Sequence, residues 1–229
     1  VKHIEGGAES DDRHVLVRGA HELGLELSSE QVDLLLSYVD TLRRWNTRVN
    51  LISRRDTGRI VTHHLLDSLA VVPLVPGESE WSVVDVGTGA GLPGIPVKIC
   101  RPSILLTMIE SSRKRTLFLE HAISSLGLER ARFVTERVQV WGMCEEVRGR
   151  YDMATARALG KIKVVLRLCM PLLKPGGILV MCKGVNIDGE LSESEGALER
   201  EGGELVEVRE VTLPFRRVKR QLVIIRRRV

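Results

Sequence analysis

The sequence predicts an α/β fold, a mostly parallel sheet covered by helices on both faces and preceded by a helical segment. Three observations carry this reading. From Trp81 to Cys182 short apolar runs alternate with helical patterns, which is the grammar of a parallel sheet. The first of those runs, Val83 to Val86, ends in a glycine-rich turn. The last two runs in the chain, Leu205 to Leu213 and Gln221 to Ile225, leave too little room between them for a helical crossover, so they pair antiparallel. At 229 residues with 43% hydrophobic and 28% charged residues, the chain is long enough for one generous domain or a domain with an added lobe, and too apolar to be disordered.

Taken in order, Asp12 to Leu23 is a short helical pattern closed by Gly24. Ser28-Ser29-Glu30 offers a cap for the next helix, in which Val32, Leu35, Leu36, Val39, Leu42 and Trp45 recur at three-to-four spacing through Arg48. A further helix is expected from Thr57 to Val72, holding His63, His64 and Asp67 and stopped by Pro73. Strands follow at Val83–Val86, Ile104–Ile109, Arg132–Thr135, Tyr151–Thr155 and Ile178–Cys182, with helices over Arg113–Leu126 and Ile162–Leu173. Asp188 to Glu201 reads as an acidic surface helix or loop, and Arg226 to Arg228 as a disordered tail. Residues 1–78 are therefore expected to form a helical extension and residues 79–229 the sheet domain.

Composition narrows the function classes. No stretch approaches the roughly 20 apolar residues a bilayer span needs, and the first thirty residues carry Glu5, Glu9, Asp11 and Asp12 where a secretory signal would be basic then apolar. A cytoplasmic chain without membrane partners is expected. The four cysteines at 100, 144, 169 and 182 form no C-x-x-C pair and have mostly aliphatic neighbours, so buried thiols are expected and no metal site is assigned. The net charge of +4 conceals unlike segments. Val211 to Val229 holds seven basic residues and no acid, Asn186 to Glu210 nine acids and two arginines, and Arg43 to Arg59 six arginines around Asp56. Basic fields of this kind suit a polyanion, although any one of them taken alone reads better as a solvated face.

The glycine loop carries the chemistry. Asp85-Val86-Gly87-Thr88-Gly89-Ala90-Gly91 follows the first strand, where glycines let the backbone turn tightly and a ligand lie against it. Read from Gly89, the run also satisfies G-x-G-x-x-G, so a dinucleotide fold has to be weighed. The acid ahead of the first glycine gives acid-x-Gly-x-Gly-x-Gly, which resembles the first motif of class I methyltransferases. Glu110 ends the next strand, where a carboxylate can accept both ribose hydroxyl protons in either fold. The terminal antiparallel pair favours the methyltransferase, whose Rossmann-like, seven-stranded, mostly parallel sheet characteristically takes an antiparallel last strand.

Asn50-Leu51, His64-Leu65-Leu66-Asp67-Ser68, Asp85 through Pro96 with its Leu-Pro-Gly-Ile-Pro extension, Lys114-Arg115 followed by Phe118-Leu119, Ala156-Arg157-Ala158 and Lys183-Gly184 occur in an order and spacing that resemble the RsmG (GidB) family over residues 15–226. The resemblance implies S-adenosylmethionine-dependent methylation of a guanine at N7 in bacterial 16S ribosomal RNA, with small-subunit ribosomal RNA or the ribosomal subunit as partner and a monomeric enzyme. Carried over, the cofactor positions fall on Gly87, Leu92, Glu110, Ser111, Ser112, Val138, Gln139 and Arg157, beside Asp85 and Gly89 of the loop. Family members commonly have an acid where Gln139 stands, so that contact is a neutral amide here.

Guanine N7 has a free lone pair and no proton to lose, so this reaction needs a nucleophile held in line and no general base. The sequence accordingly shows neither a catalytic triad pattern nor the Asn-Pro-Pro-Tyr motif of amine methylation. Arg137, Arg157 and Lys183, just beyond strand ends, are the candidates for positioning guanine or phosphate. Lys114 and Arg115 open a helix, a poor place for cations unless an anion is near. They join His64, Arg216, Arg217, Lys219 and Arg220 as candidate RNA contacts, with a helix-packing role the stronger reading for His64 and Asp67. With 3% aromatic residues there is no row of stacking platforms, so binding rests on charge and shape. A class I methyltransferase with another substrate, and a non-catalytic RNA-binding or assembly factor on the same fold, remain open alternatives at this level.

Overall fold

The computed structural model describes residues 5–78 and 80–229, with residues 5–10 described by their backbone alone. The beginning of the expected helical extension at residues 1–4 and its expected junction at Ser79 lie outside the described residues. Helix α1 spans Glu5–Glu22, starting two turns earlier than the apolar pattern predicts, and Gly24 closes it with φ +75°. Helix α2 (Ser29–Asn46) begins at a capping box: Ser28 accepts from the Gln31 amide while the Gln31 side chain accepts from the Ser28 amide. Its apolar stripe, Val32, Leu35, Leu36, Val39 and Leu42, is buried as the spacing predicts.

The helix expected over Thr57–Val72 is instead broken into pieces. A 3-10 turn (Arg54–Arg59) leads through a π turn (Val61–Leu65) into the single α-helical turn α3 (Leu66–Leu69), and a second 3-10 turn (Val72–Leu74) contains Pro73. The whole stretch from Leu65 to Val72 is buried, Asp67 and Ser68 included. Apolar spacing alone does not register that division into turns.

The sheet comprises β1 (Ser82–Val86), then helix α4 (Gly94–Cys100), β2 (Leu105–Ile109), α5 (Arg113–Ser125), β3 (Ala131–Val134), α6 (Val138–Trp141), β4 (Tyr151–Arg157), α7 (Ile162–Cys169) and β5 (Leu173–Lys183). Two short helices, α8 (Asp188–Ser192) and α9 (Glu195–Arg200), occupy the acidic segment before β6 (Gly203–Leu213) and β7 (Val218–Arg227). Strand order is β3-β2-β1-β4-β5-β7-β6. The first five strands pair parallel, while β7 inserts antiparallel between β5 and β6. β5 starts before the predicted Ile178 and bulges over Lys174–Gly177, its register with β4 jumping from Tyr151/Leu173 to Met153/Ile178.

Alternation along the strands divides the core in two. Val83, Leu106, Met108, Met153, Val180, Leu222 and Ile224 pack with α1, α2, α4 and α5 on one face. Val84, Val86, Ile109, Ala154, Leu179, Val223 and Ile225 pack with α7 and the α8–α9 segment on the other. Two sequence expectations need correction. Cys144 is exposed, in the turn after α6, and the other three cysteines are buried. The run Arg226–Arg228 is no disordered tail: Arg226 and Arg227 belong to β7, and the Arg227 guanidinium donates to the carbonyls of Met170, Pro171 and Leu173.

Candidate active site

Strand order reverses between β2-β1 and β1-β4, and ligands in open α/β sheets bind outside the carboxyl ends of strands at such a point. The glycine loop leaves β1 there. Gly87, Gly89 and Gly91 all take positive φ (+68°, +59°, +82°), so three left-handed residues fold the chain back toward α4. Asp85 lies beneath the loop, 1% exposed. One of its oxygens accepts from the Thr88 hydroxyl and the Gly94 amide (3.0 Å), the other from the Thr155 hydroxyl (2.8 Å). Burial raises its pKa against the pull of those bonds. Asp85 therefore ties loop, helix α4 and strand β4 together from below. Leu92, 3% exposed, likewise points into the core.

Glu110 follows β2 and reaches back to the loop. Its Oε2 accepts from the Gly89 amide (3.2 Å) and from Arg115 Nη1 (3.4 Å), and its Oε1 from the Ser112 amide (2.8 Å). A cleft of about 460 Å³ brings together Gly87, Glu110, Ser111, Arg115, Arg137, Val138 and Gln139. Val138 is buried at the start of α6, and Arg137 and Gln139 on either side of it are exposed.

The turn after β4 forms the cleft's inner wall. Ala158 sits at φ +55° and Gly160 at +125°, aiming Leu159 at the glycine loop: a Cβ built on Gly87 would meet Leu159 Cδ1 at 2.5 Å. Beyond Ala158 and Leu159, which line both spaces, opens a second cavity of about 420 Å³. Its walls carry His63, His64, Asp67, Arg157, Lys183 and Arg220. Asp67 from α3 holds two arginines, Arg157 Nη1 at 3.3 Å and Arg220 Nε at 3.0 Å, so its carboxylate joins the helical segment to β4 and β7. Lys183 donates to the Gly160 carbonyl and to Glu190, both at 2.7 Å. Burial first, then the Arg157 charge, pushes the His64 imidazole below its ordinary pKa, although Asp56 stands 3.3 Å from its Nε2. Burial and the charges of Arg216 and Arg59 lower His63 in the same sense.

Other candidates lie apart. Lys114 is exposed on the outer side of α5's first turn, whereas Arg115 turns into the cleft. Arg216 and Arg217 occupy the β6–β7 turn, and Lys219 pairs with Glu210 across the hairpin at 2.7 Å. Two contributors, Leu159 and Tyr38, are not marked in the sequence. Leu159 is placed by a backbone turn that no motif marks; Asp67, singled out in the sequence beside His64, bonds Arg157 and Arg220 while His64 bonds Asp56. Tyr38, fully buried in α2, donates its hydroxyl to the Ala90 carbonyl at 2.6 Å and so braces the glycine loop from the helical segment. Among the described residues no group of three or more His, Cys, Asp or Glu is placed to hold a metal ion, and no helix is long and apolar enough to cross a membrane.

A glycine loop and a carboxylate at adjacent strand ends, on a seven-stranded sheet with an inserted antiparallel strand, define the class I S-adenosylmethionine-dependent methyltransferase fold. The chain is similar to the solved Burkholderia thailandensis 1,6-didemethyltoxoflavin-N1-methyltransferase with bound 1,6-didemethyltoxoflavin and S-adenosylhomocysteine (TM-score 0.58, 16% identity, 90% of this chain and 93% of that one). The [4+2]-cyclase SpnF shares the architecture too (TM-score 0.59, 14% identity, 90% and 98% covered), so the fold does not fix the reaction. Sequence is more specific: residues 31–223 match the family model described as GidB, rRNA small subunit methyltransferase G, and the chain belongs to that family. A relative named Ribosomal RNA small subunit methyltransferase G, from Acetivibrio thermocellus, is 37% identical over 215 residues, 94% of this chain and 88% of that protein.

Proposed function

We propose that this protein methylates N7 of a specific guanine in bacterial 16S ribosomal RNA, using S-adenosylmethionine. The observation that carries the reading is the pair of cavities at the carboxyl ends of the strands, one built on Gly87 and Glu110 and the other on Arg157, Lys183, Arg220 and Asp67, with Ala158 and Leu159 lining both. The chain's residues fit the cofactor. Gly87 keeps the cleft floor free of a side chain where Leu159 packs over it, Glu110 presents a carboxylate to ribose hydroxyls, Ser111, Val138 and Gln139 line the adenine side, and the Ser112 amide holds Glu110 in place. Asp85 and Leu92 serve the same site from beneath, by shaping the loop. S-Adenosylmethionine supplies a methyl group on a sulfonium, an electrophile that needs no further activation.

The second cavity is the natural seat for the base. Arg157 has five N–H donors, one of them bonded to Asp67, and suits the O6 edge of guanine or a phosphate. Arg137 adds positive charge at a neighbouring strand end, and Lys183, paired with Glu190, fixes the wall beside it. Because N7 carries a lone pair, the residues have only to hold the base and exclude water, and His63 and His64, kept neutral, are not required as bases. Arg216, Arg217 and Lys114 extend the positive field toward the RNA backbone, while Lys219 and Arg220 are held by Glu210 and Asp67. In this reading residues 1–78 are a helical extension that completes the site of a catalytic domain spanning 79–229, and the enzyme works as a monomer in the cytoplasm without a metal ion.

Incubating the purified protein with radiolabelled S-adenosylmethionine and separated ribosomal subunits tests the proposal. Label in small-subunit RNA, recovered as N7-methylguanosine, supports it; equal label in large-subunit RNA, or none in either with small molecules methylated instead, rejects it.

A further inference from the structure

Arg115 occupies an acceptor site that the proposed cofactor needs. A carboxylate has about four lone-pair sites, two on each oxygen. On Glu110, Oε1 has one filled by the Ser112 amide, and Oε2 has both filled, by the Gly89 amide and Arg115 Nη1. A ribose diol that engages both oxygens must therefore displace one donor from Oε2. The Gly89 amide belongs to a loop fixed from below by Asp85 and from the side by Tyr38. Arg115 makes the longest of the three contacts, at 3.4 Å, through a flexible side chain that is 41% exposed. Arg115 is the donor that can leave.

Its departure creates a second consequence. Arg115 stands in the first turn of α5 behind Arg113 and Lys114, in a turn with no acidic residue. The positive end of the helix disfavours cations there, and Glu110 is the carboxylate that compensates this one. A guanidinium released from Glu110 needs another anion, and a backbone phosphate offers a charge-assisted match.

We propose that Arg115 is an exchange residue: it neutralises Glu110 in the empty site, yields that carboxylate to the ribose when cofactor binds, and then takes a phosphate of the RNA. Cofactor and RNA thereby raise each other's affinity by the same factor, as linkage requires. The proposal rests on the cofactor reading of the cleft. It makes Arg115 a positioning residue whose removal has an unusual sign, because deleting a competitor for Glu110 strengthens cofactor binding.

The test is calorimetric titration with S-adenosylhomocysteine, with and without purified small ribosomal subunits, for the wild type and for Arg115→Met, which keeps the aliphatic stem and helix propensity. In the wild type S-adenosylhomocysteine tightens subunit binding by roughly two- to fivefold, the range of a partly exposed ion pair. In Arg115→Met it binds the free protein about two- to fivefold more tightly than the wild type, and the coupling to the subunit disappears. Arg115→Ala repeats the measurement, with thermal melting as the check on folding. Unchanged or weaker S-adenosylhomocysteine binding in both variants, coupling that survives in them, or no coupling in the wild type overturns the proposal. A wild type that does not bind S-adenosylhomocysteine at all overturns the cofactor reading itself, and Arg115's role with it.

Discussion

Gly87 meets two constraints that no side chain can satisfy together. Its φ of +68° lies in the left-handed region, and a Cβ there would stand 2.5 Å from Leu159 Cδ1. The backbone strain alone costs about 1–2 kcal/mol for an L residue. Gly87→Leu therefore lowers Tm by several degrees, at about 2–4 °C per kcal/mol for a chain of this size, and abolishes S-adenosylhomocysteine binding by calorimetry; unchanged affinity would remove the cleft from this position. His64 gives a second residue-level prediction. Its pKa in the fold lies below the ordinary 6.5 because burial and then the Arg157 charge disfavour the imidazolium. The unfolded chain thus takes up the proton first, so the His64 contribution to stability is complete above about pH 6.5 and is lost as the pH falls through the lower, folded-state pKa. Melting curves of the wild type and His64→Gln, compared from pH 8 to about 5, should diverge in that acid range, with the wild type losing more stability. Parallel curves would contradict the depressed pKa.

Between elements, Asp67 is the junction. Its carboxylate from α3 meets Arg157 of β4 and Arg220 of β7, all three being largely withdrawn from water. Removing the anion leaves two guanidinium groups facing each other without compensation. Asp67→Ala should destabilise the fold by about 2–3 kcal/mol, less than a fully buried pair because both arginines keep some solvent. It should also abolish methyl transfer while S-adenosylhomocysteine binding survives, because Asp67 lies on the second cavity and not on the Gly87 cleft. Loss of both functions together would merge the two cavities into one site. The elements themselves differ in how far the sequence reveals them. Strand ends and the terminal hairpin are legible, since apolar runs bounded by glycine and charge are local signals. The 54–74 region is not, because its division into 3-10, π and α turns leaves no mark in the apolar spacing. Arg227 is not legible for another reason: its three carbonyl partners lie 54 to 57 residues away. For the same reason the Gly87–Glu110 half of the site can be read from motif and spacing, whereas the contacts of Asp67 with residues 90 and 153 positions distant cannot.

For the whole molecule, the net charge of +4 matters less than where charge remains uncommitted. Lys219, Arg220 and Arg43 are engaged by carboxylates, which leaves the turn arginines Arg216 and Arg217 as the extension of the basic rim next to Arg59 and His63. Replacing Arg216 and Arg217 by Gln should weaken binding to small ribosomal subunits and reduce the slope of log affinity against log salt by about two. An unaltered slope would assign both residues to the fold alone. The helical segment is structurally inseparable from this surface, since Tyr38 braces the glycine loop and the 54–68 region supplies one wall of the second cavity. The central claim concerns the reaction, and it is tested most directly by mapping N7-methylguanine in ribosomal RNA from cells with and without the gene for this protein. The expected result is one small-subunit guanine that loses its methyl group when the gene is absent and regains it when the gene is restored; an identical N7-methylguanine pattern in both strains would contradict it.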